Sequence, residues 1–201
     1  MSLFPLTIFL YLLTAFGTAP QPPAAPASTQ TLATASNLAK EKKETEEFIP
    51  WTVERLLTWA DFQREPVRNT DAVASTSTTL GLNYMLKGGK VEYQITCSFS
   101  KKRSWGLVKT DYILAHEQAH FDITELFARK LHQQLMAYQP NRKTFQKDIN
   151  AIYENVVKSK EAFQKMYDGE TDHSRKRARQ EEWLVRIDDL LYETEALANY
   201  P

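Results

Sequence analysis

His116-Glu117-Gln118-Ala119-His120 carries the residue types and the spacing from which chemistry is most directly read. On a helix, His116 and His120 stand at i and i+4, so both imidazoles leave one face a turn apart. Two neutral ring nitrogens so placed reach a single Zn²⁺ at about 2.0–2.1 Å each. Glu117, one residue on from His116, places a carboxylate where it can take a proton from water without ligating the metal. A catalytic zinc needs a third protein ligand and keeps a position open for water. That third ligand must come from elsewhere in the chain.

The element carrying the motif is a helix. No Gly or Pro interrupts Thr110 to Tyr138, and Ile113, Ile123, Phe127 and Leu131 recur on the face of the histidines, with Leu114, Leu126 and Met136 widening the arc. Thr110 or Asp111 caps its start, and Pro140-Asn141 breaks it. A second helix is predicted from about Arg142 to Met166, a polar loop from Tyr167 to Ser174, and a third helix from about Arg175 to Leu197. Upstream, Leu80, Leu82, Tyr84 and Leu86 alternate with polar or small residues, as do Val91, Tyr93, Ile95, Cys97 and Phe99. Between them Gly88-Gly89 supplies the positive φ of a tight turn, so residues 80–99 form a β-hairpin. Strands followed by helices define an α+β domain: a small antiparallel sheet packed on the histidine-bearing helix and two further helices.

Two helices joined by a short turn run antiparallel, which returns the 167–174 loop to the level of His116 and His120. That loop offers Asp168, Glu170, Asp172 and His173. Among four histidines, His132 stands roughly 18 Å along the same helix from His120 at about 1.5 Å per residue. This leaves His173 as the favoured third ligand, with Glu170 and Asp168 as alternatives. Asp122, about 200° around the helix from His120, faces away and reads as a structural carboxylate. Tyr167 is a candidate donor to a developing oxyanion, and the hairpin a candidate edge for an extended substrate.

Leu57–Phe62 (LTWADF), Ile113–Leu126 (ILAHEQAHFDITEL) and Tyr167–Ser174 (YDGETDHS), with Gln180 and Trp183 beyond, resemble a bacterial family described as predicted secreted zinc-dependent proteases. The likeness runs from about residue 50 to residue 195. It implies a zincin-like metallopeptidase with His116 and His120 as ligands, Glu117 as catalytic base and His173 as third ligand. The expected substrate is a peptide or protein, cell-wall peptide included. The alternative is a non-catalytic exported metal-binding or protein-interaction module, in which the acidic loop could supply the fourth ligand of a closed structural site.

The rest of the 201-residue chain bounds these readings. Lys and Arg balance Asp and Glu at 25 each, so no global field attracts nucleic acid. Arg175–Arg179 is followed by Glu181, Glu182, Asp188 and Asp189 and reads as a paired, solvated helix face. The single Cys97 excludes an intramolecular disulfide and, lying on an apolar strand face, reads as an inert buried thiol. Residues 1–19 hold an apolar run too short and Pro-broken for an ordinary span. They are expected to be a signal peptide directing export, or else an N-terminal anchor, which would be the one membrane contact. Residues 20–47 are a Pro/Ala/Ser-rich and charged linker. The folded domain is expected over 48–201, its start crowded with Trp51, Val53, Leu56, Leu57, Trp59 and Phe62.

Overall fold

The computed structural model describes residues 47–201; the expected signal or anchor segment and nearly all of the linker lie outside the described residues. The architecture is α+β. Strands β1 (Phe48–Pro50), β2 (Ala74–Ser75), β3 (Thr78–Lys87), β4 (Lys90–Ser100) and β5 (Trp105–Gly106) precede helices α1 (Asp111–Ala137), α2 (Phe145–Thr171) and α3 (Arg177–Glu193). Among the described residues no helix is long and apolar enough to cross a membrane.

The hairpin forms where expected. β3 and β4 pair antiparallel from Thr78↔Phe99 to Lys87↔Lys90, and Gly88 and Gly89 close the two-residue turn with φ of +58° and +81°. Both φ values are positive, as a turn matching the right-handed strand twist requires. The alternation also holds: Ile95, Cys97 and Phe99 are buried while Thr96 between them is exposed. β1 adds to the other side of β4, giving the order β1-β4-β3, and β2 pairs with β5 in a second, two-stranded sheet. Three strands lie outside the sequence expectation. β2 and β5 are two residues long, too short for any period-2 pattern, and β1 ends on a proline.

α1 is the centre of the molecule. The hairpin, α2 and α3 all pack against it, and the helix buries apolar residues around much of its circumference, among them Phe121, Ile123, Leu126, Ala128 and Leu131. Phe99 of the sheet meets Phe121 of α1 at a ring separation of 6.0 Å. The Thr110 hydroxyl accepts the Ile113 N–H at 3.3 Å, capping the first turn.

Leu57–Phe62 docks the preceding loop onto this core. The Leu57 N–H bonds the Gln118 carboxamide oxygen at 2.8 Å, and Phe62 stacks edge-on against Phe99 at 5.0 Å. Trp59 lies so close to Gly106 that a Cβ there would stand 2.5 Å from its ring. Val53 and Leu56, expected in the core with these aromatics, are instead solvent-facing, as is Met136 on α1.

α2 differs most from expectation. It runs on past Met166 to Thr171, so Tyr167, Asp168 and Glu170 belong to a helix and not to a loop. One internal glycine costs a helix only about 1 kcal/mol. Full burial of Tyr167 and the bond from the Thr171 hydroxyl to the Tyr167 carbonyl (2.8 Å) offset Gly169. The helix stops at Asp172, His173 and Ser174, three consecutive residues with φ of +51°, +50° and +69°.

Candidate metal and catalytic site

His116 and His120 leave α1 one turn apart, their rings 5.0 Å between centroids and nearly perpendicular. Across from them α2 delivers Asp168. Its Oδ1 stands 3.2 Å from Nε2 of His116 and 3.1 Å from Nε2 of His120. The three donor atoms lie within 4.8 Å of one another and could hold one metal ion between them. Two ligand atoms on one tetrahedral ion at about 2.0–2.2 Å stand roughly 3.3 Å apart, so the donor spacing fits such an ion.

Burial and charge are consistent with that donor set. Burial alone would raise the Asp168 pKa, but hydrogen bonds from His116 and His120 and their charge hold it well below the ordinary carboxylate value. Burial would likewise depress His120, and Asp168, Glu117 and Gln164 outweigh it, leaving its pKa raised. Glu117 is buried, and among the described residues its Oε2 has no hydrogen-bond partner, nor does Nδ1 of either histidine. Buried polar atoms without partners are uncommon in folded proteins, and three of them meet at this cluster.

The histidines form the floor of a cleft of about 440 Å³, open to solvent, with Glu117, Asp168 and His173 also lining it. Its opposite wall comes from β2 and its flank, Ala74, Ser75 and Thr76, with Trp105 of β5. The Thr76 hydroxyl donates to the Glu117 carbonyl at 3.2 Å, tying this wall to α1. The strand beside the site is thus β2 and not the 80–99 hairpin, whose residues do not line this cleft.

The structure separates the other sequence candidates. His173, favoured as third ligand, stands at the cleft mouth with 62% of its side chain exposed and Nδ1 3.7 Å from Asp168 Oδ1; it is outside the three-donor cluster. Glu170 points away from the cleft and binds the Arg179 guanidinium at 2.6 Å and the Trp183 indole at 2.9 Å. Tyr167 lies beneath the site, fully buried and stacked on His116 at 4.6 Å. Its hydroxyl is directed at the His116 carbonyl (3.5 Å), and burial followed by the nearby Glu117 and Asp168 carboxylates pushes its pKa up. The geometry makes it a support for the imidazole, not a donor into the cleft. His132 bonds Tyr93 at 3.0 Å, away from the site, and Asp122 accepts from Trp51 and Gln118 as a structural carboxylate. Gln164, which lines the cleft beside His120, has no counterpart among the sequence candidates.

Fold and site together define an α+β protein with a histidine–carboxylate cluster at the base of an open cleft. The chain belongs to a bacterial family of proteins of unknown function (DUF922), whose model matches residues 26–174 and so takes in every residue of the cluster. No curated protein matches the chain, and no solved structure does.

Proposed function

We propose that this chain is an exported zinc-dependent metallopeptidase with a zincin-like site, acting on peptide or protein amide bonds, cell-wall peptide among them. One observation carries the reading: two imidazole nitrogens and a carboxylate oxygen converge beside an unpartnered glutamate in an open cleft. His116 and His120 through Nε2, and Asp168 through Oδ1, would hold the ion. Zn²⁺ at that place supplies a Lewis acid that acidifies water and polarises an amide carbonyl. Glu117 accepts the proton of the attacking water at Oε2 and passes it to the leaving amine. Tyr167 keeps the His116 ring in place from below.

Export rests on the apolar stretch within residues 1–19. The test is Glu117→Gln in the full chain, assayed for zinc content and for hydrolysis of a quenched fluorescent peptide mixture. General bases contribute about 10²–10⁴-fold, so hydrolysis falls at least about 100-fold while one zinc per chain is kept. Undiminished hydrolysis in the zinc-loaded variant would exclude the mechanism.

A second reading, a non-catalytic metal-binding module, is favoured by one distance, the 3.7 Å from His173 to Asp168. Closure by a fourth ligand makes a structural site. The open cleft and the exposure of His173 weigh against it.

A further inference from the structure

A polar chain runs beneath the cleft from the sheet to α2. The Thr78 and Thr124 hydroxyls stand 2.8 Å apart, and Thr124 donates to the His120 carbonyl at 3.0 Å. Gln164 Nε2 reaches both the Thr124 hydroxyl (3.2 Å) and the His120 carbonyl (3.4 Å). A mid-helix carbonyl already accepts its own i+4 N–H. The extra donors around His120 are therefore not needed to build α1, and their effect is to pin the backbone of this one residue.

The ring of His120 has a complementary need. An imidazole offering Nε2 as a ligand carries its proton on Nδ1, and ligating histidines almost always give that N–H to an oxygen acceptor. Nδ1 of His120 is buried and has no hydrogen-bond partner among the described residues. Among the described residues the Gln164 carboxamide makes its hydrogen bonds through Nε2, which leaves Oε1 available on a group already anchored to His120. Asp168, one turn further along α2, meets the same ring at Nε2.

On the metal-site reading above, we infer that Gln164 is a positioning residue for His120: its carboxamide oxygen accepts the Nδ1 proton and so presents Nε2 to the metal. One helix face then serves both nitrogens of a single imidazole, Asp168 from one side and Gln164 from the other.

The experiment titrates the full chain with Co²⁺, following the visible ligand-field bands, and measures thermal melting without metal. Gln164→Met keeps the side-chain length and removes the acceptor; Gln164→Glu keeps an acceptor. The expected result is Co²⁺ affinity about 10–100-fold weaker in Gln164→Met, with shifted bands and a metal-free melting temperature near that of the parent. Gln164→Glu restores the bands and binds Co²⁺ at least as tightly as the parent. Equal affinity and spectrum in parent and Gln164→Met, or equal losses in both variants, would overturn the inference and leave the metal site standing. A parent chain that binds neither Co²⁺ nor Zn²⁺ would overturn the metal reading itself, and this inference with it. Should Gln164→Met not fold, Gln164→Ala makes the same comparison against Gln164→Glu.

Discussion

Nε2 of His116 lies 3.2 Å from Oδ1 of Asp168 across 52 residues of sequence. His120 meets Gln164 one turn earlier on α2, so α1 and α2 run antiparallel and hold the site in their shared seam. Both groups sit on helices whose neighbours are packed, and a site on rigid elements keeps its geometry better than one on a loop. The carboxylate nearest both histidines therefore comes from a scaffold element, while His173 rides on the left-handed turn that follows it.

Asp168→Ala should abolish stoichiometric zinc binding, with a loss beyond the ~10–100-fold typical of an outer partner. His173→Ala should keep one zinc per chain. Metal analysis after dialysis, with metal-free melting as a fold control, separates the two. Zinc kept in Asp168→Ala and lost in His173→Ala would move the third ligand to the turn.

Gly106→Ala probes the packing behind the cleft wall. An added Cβ would stand 2.5 Å from Cζ3 and 2.8 Å from Cε3 of Trp59. An indole ring cannot swing aside as the end of a flexible chain can, so either the ring or β5 must shift. Overpacking of this kind costs about 1–3 kcal/mol, read as a lowered urea midpoint. Pairing it with Trp59→Leu should recover part of the loss. A neutral Gly106→Ala would show that the Trp59 ring has room to move.

Glu125 and Arg129 form a buried charge pair on α1, bonded at 2.8 Å with each side chain at most 4% exposed. Tyr200 donates to the other Glu125 oxygen at 2.7 Å, and Arg129 also bonds the Leu191 carbonyl at 2.6 Å. Arg129→Met would strand a buried carboxylate and cost about 3–5 kcal/mol. Replacing both members by Met should cost less than Arg129→Met alone, because no charge is then left unpaired. Denaturant unfolding of the three variants decides it, and a double variant less stable than the single one would contradict the desolvation account.

How much of this was legible in sequence follows from how each feature is encoded. The hairpin was, because alternation and Gly88-Gly89 both act over neighbouring residues. His116, Glu117 and His120 were, because a helical turn fixes their relation within five residues of one another. Asp168 was visible only as an alternative, since Gly169 and the polar residues around it read as a loop until the burial of Tyr167 is known. Gln164 was invisible: a glutamine on a polar helix looks solvated, and only tertiary packing sets it against His120. β2, at two residues, carries no periodic signal, although it walls the cleft.

Asp61 lies within the loop motif that docks onto the core, and it should govern part of the acid stability. Its carboxylate accepts the Thr58 N–H at 2.7 Å, the Thr58 hydroxyl at 2.9 Å and the Arg55 guanidinium at 2.7 Å. Burial alone would raise its pKa, and these partners, Arg55 foremost, outweigh burial and leave it lowered. A carboxylate whose pKa is lower folded than unfolded stabilises above the unfolded value, about 3.9, and loses that contribution as pH falls through the folded value. Asp61→Asn should therefore be less stable than the parent at neutral pH, by about 1–2 kcal/mol. The gap should begin to close below about pH 4, where the unfolded carboxylate takes up its proton, and vanish only below the lower folded value. Urea unfolding at a series of pH values measures this directly. A stability gap that stays constant down to pH 2 would show that the Asp61 contacts contribute through shape rather than charge.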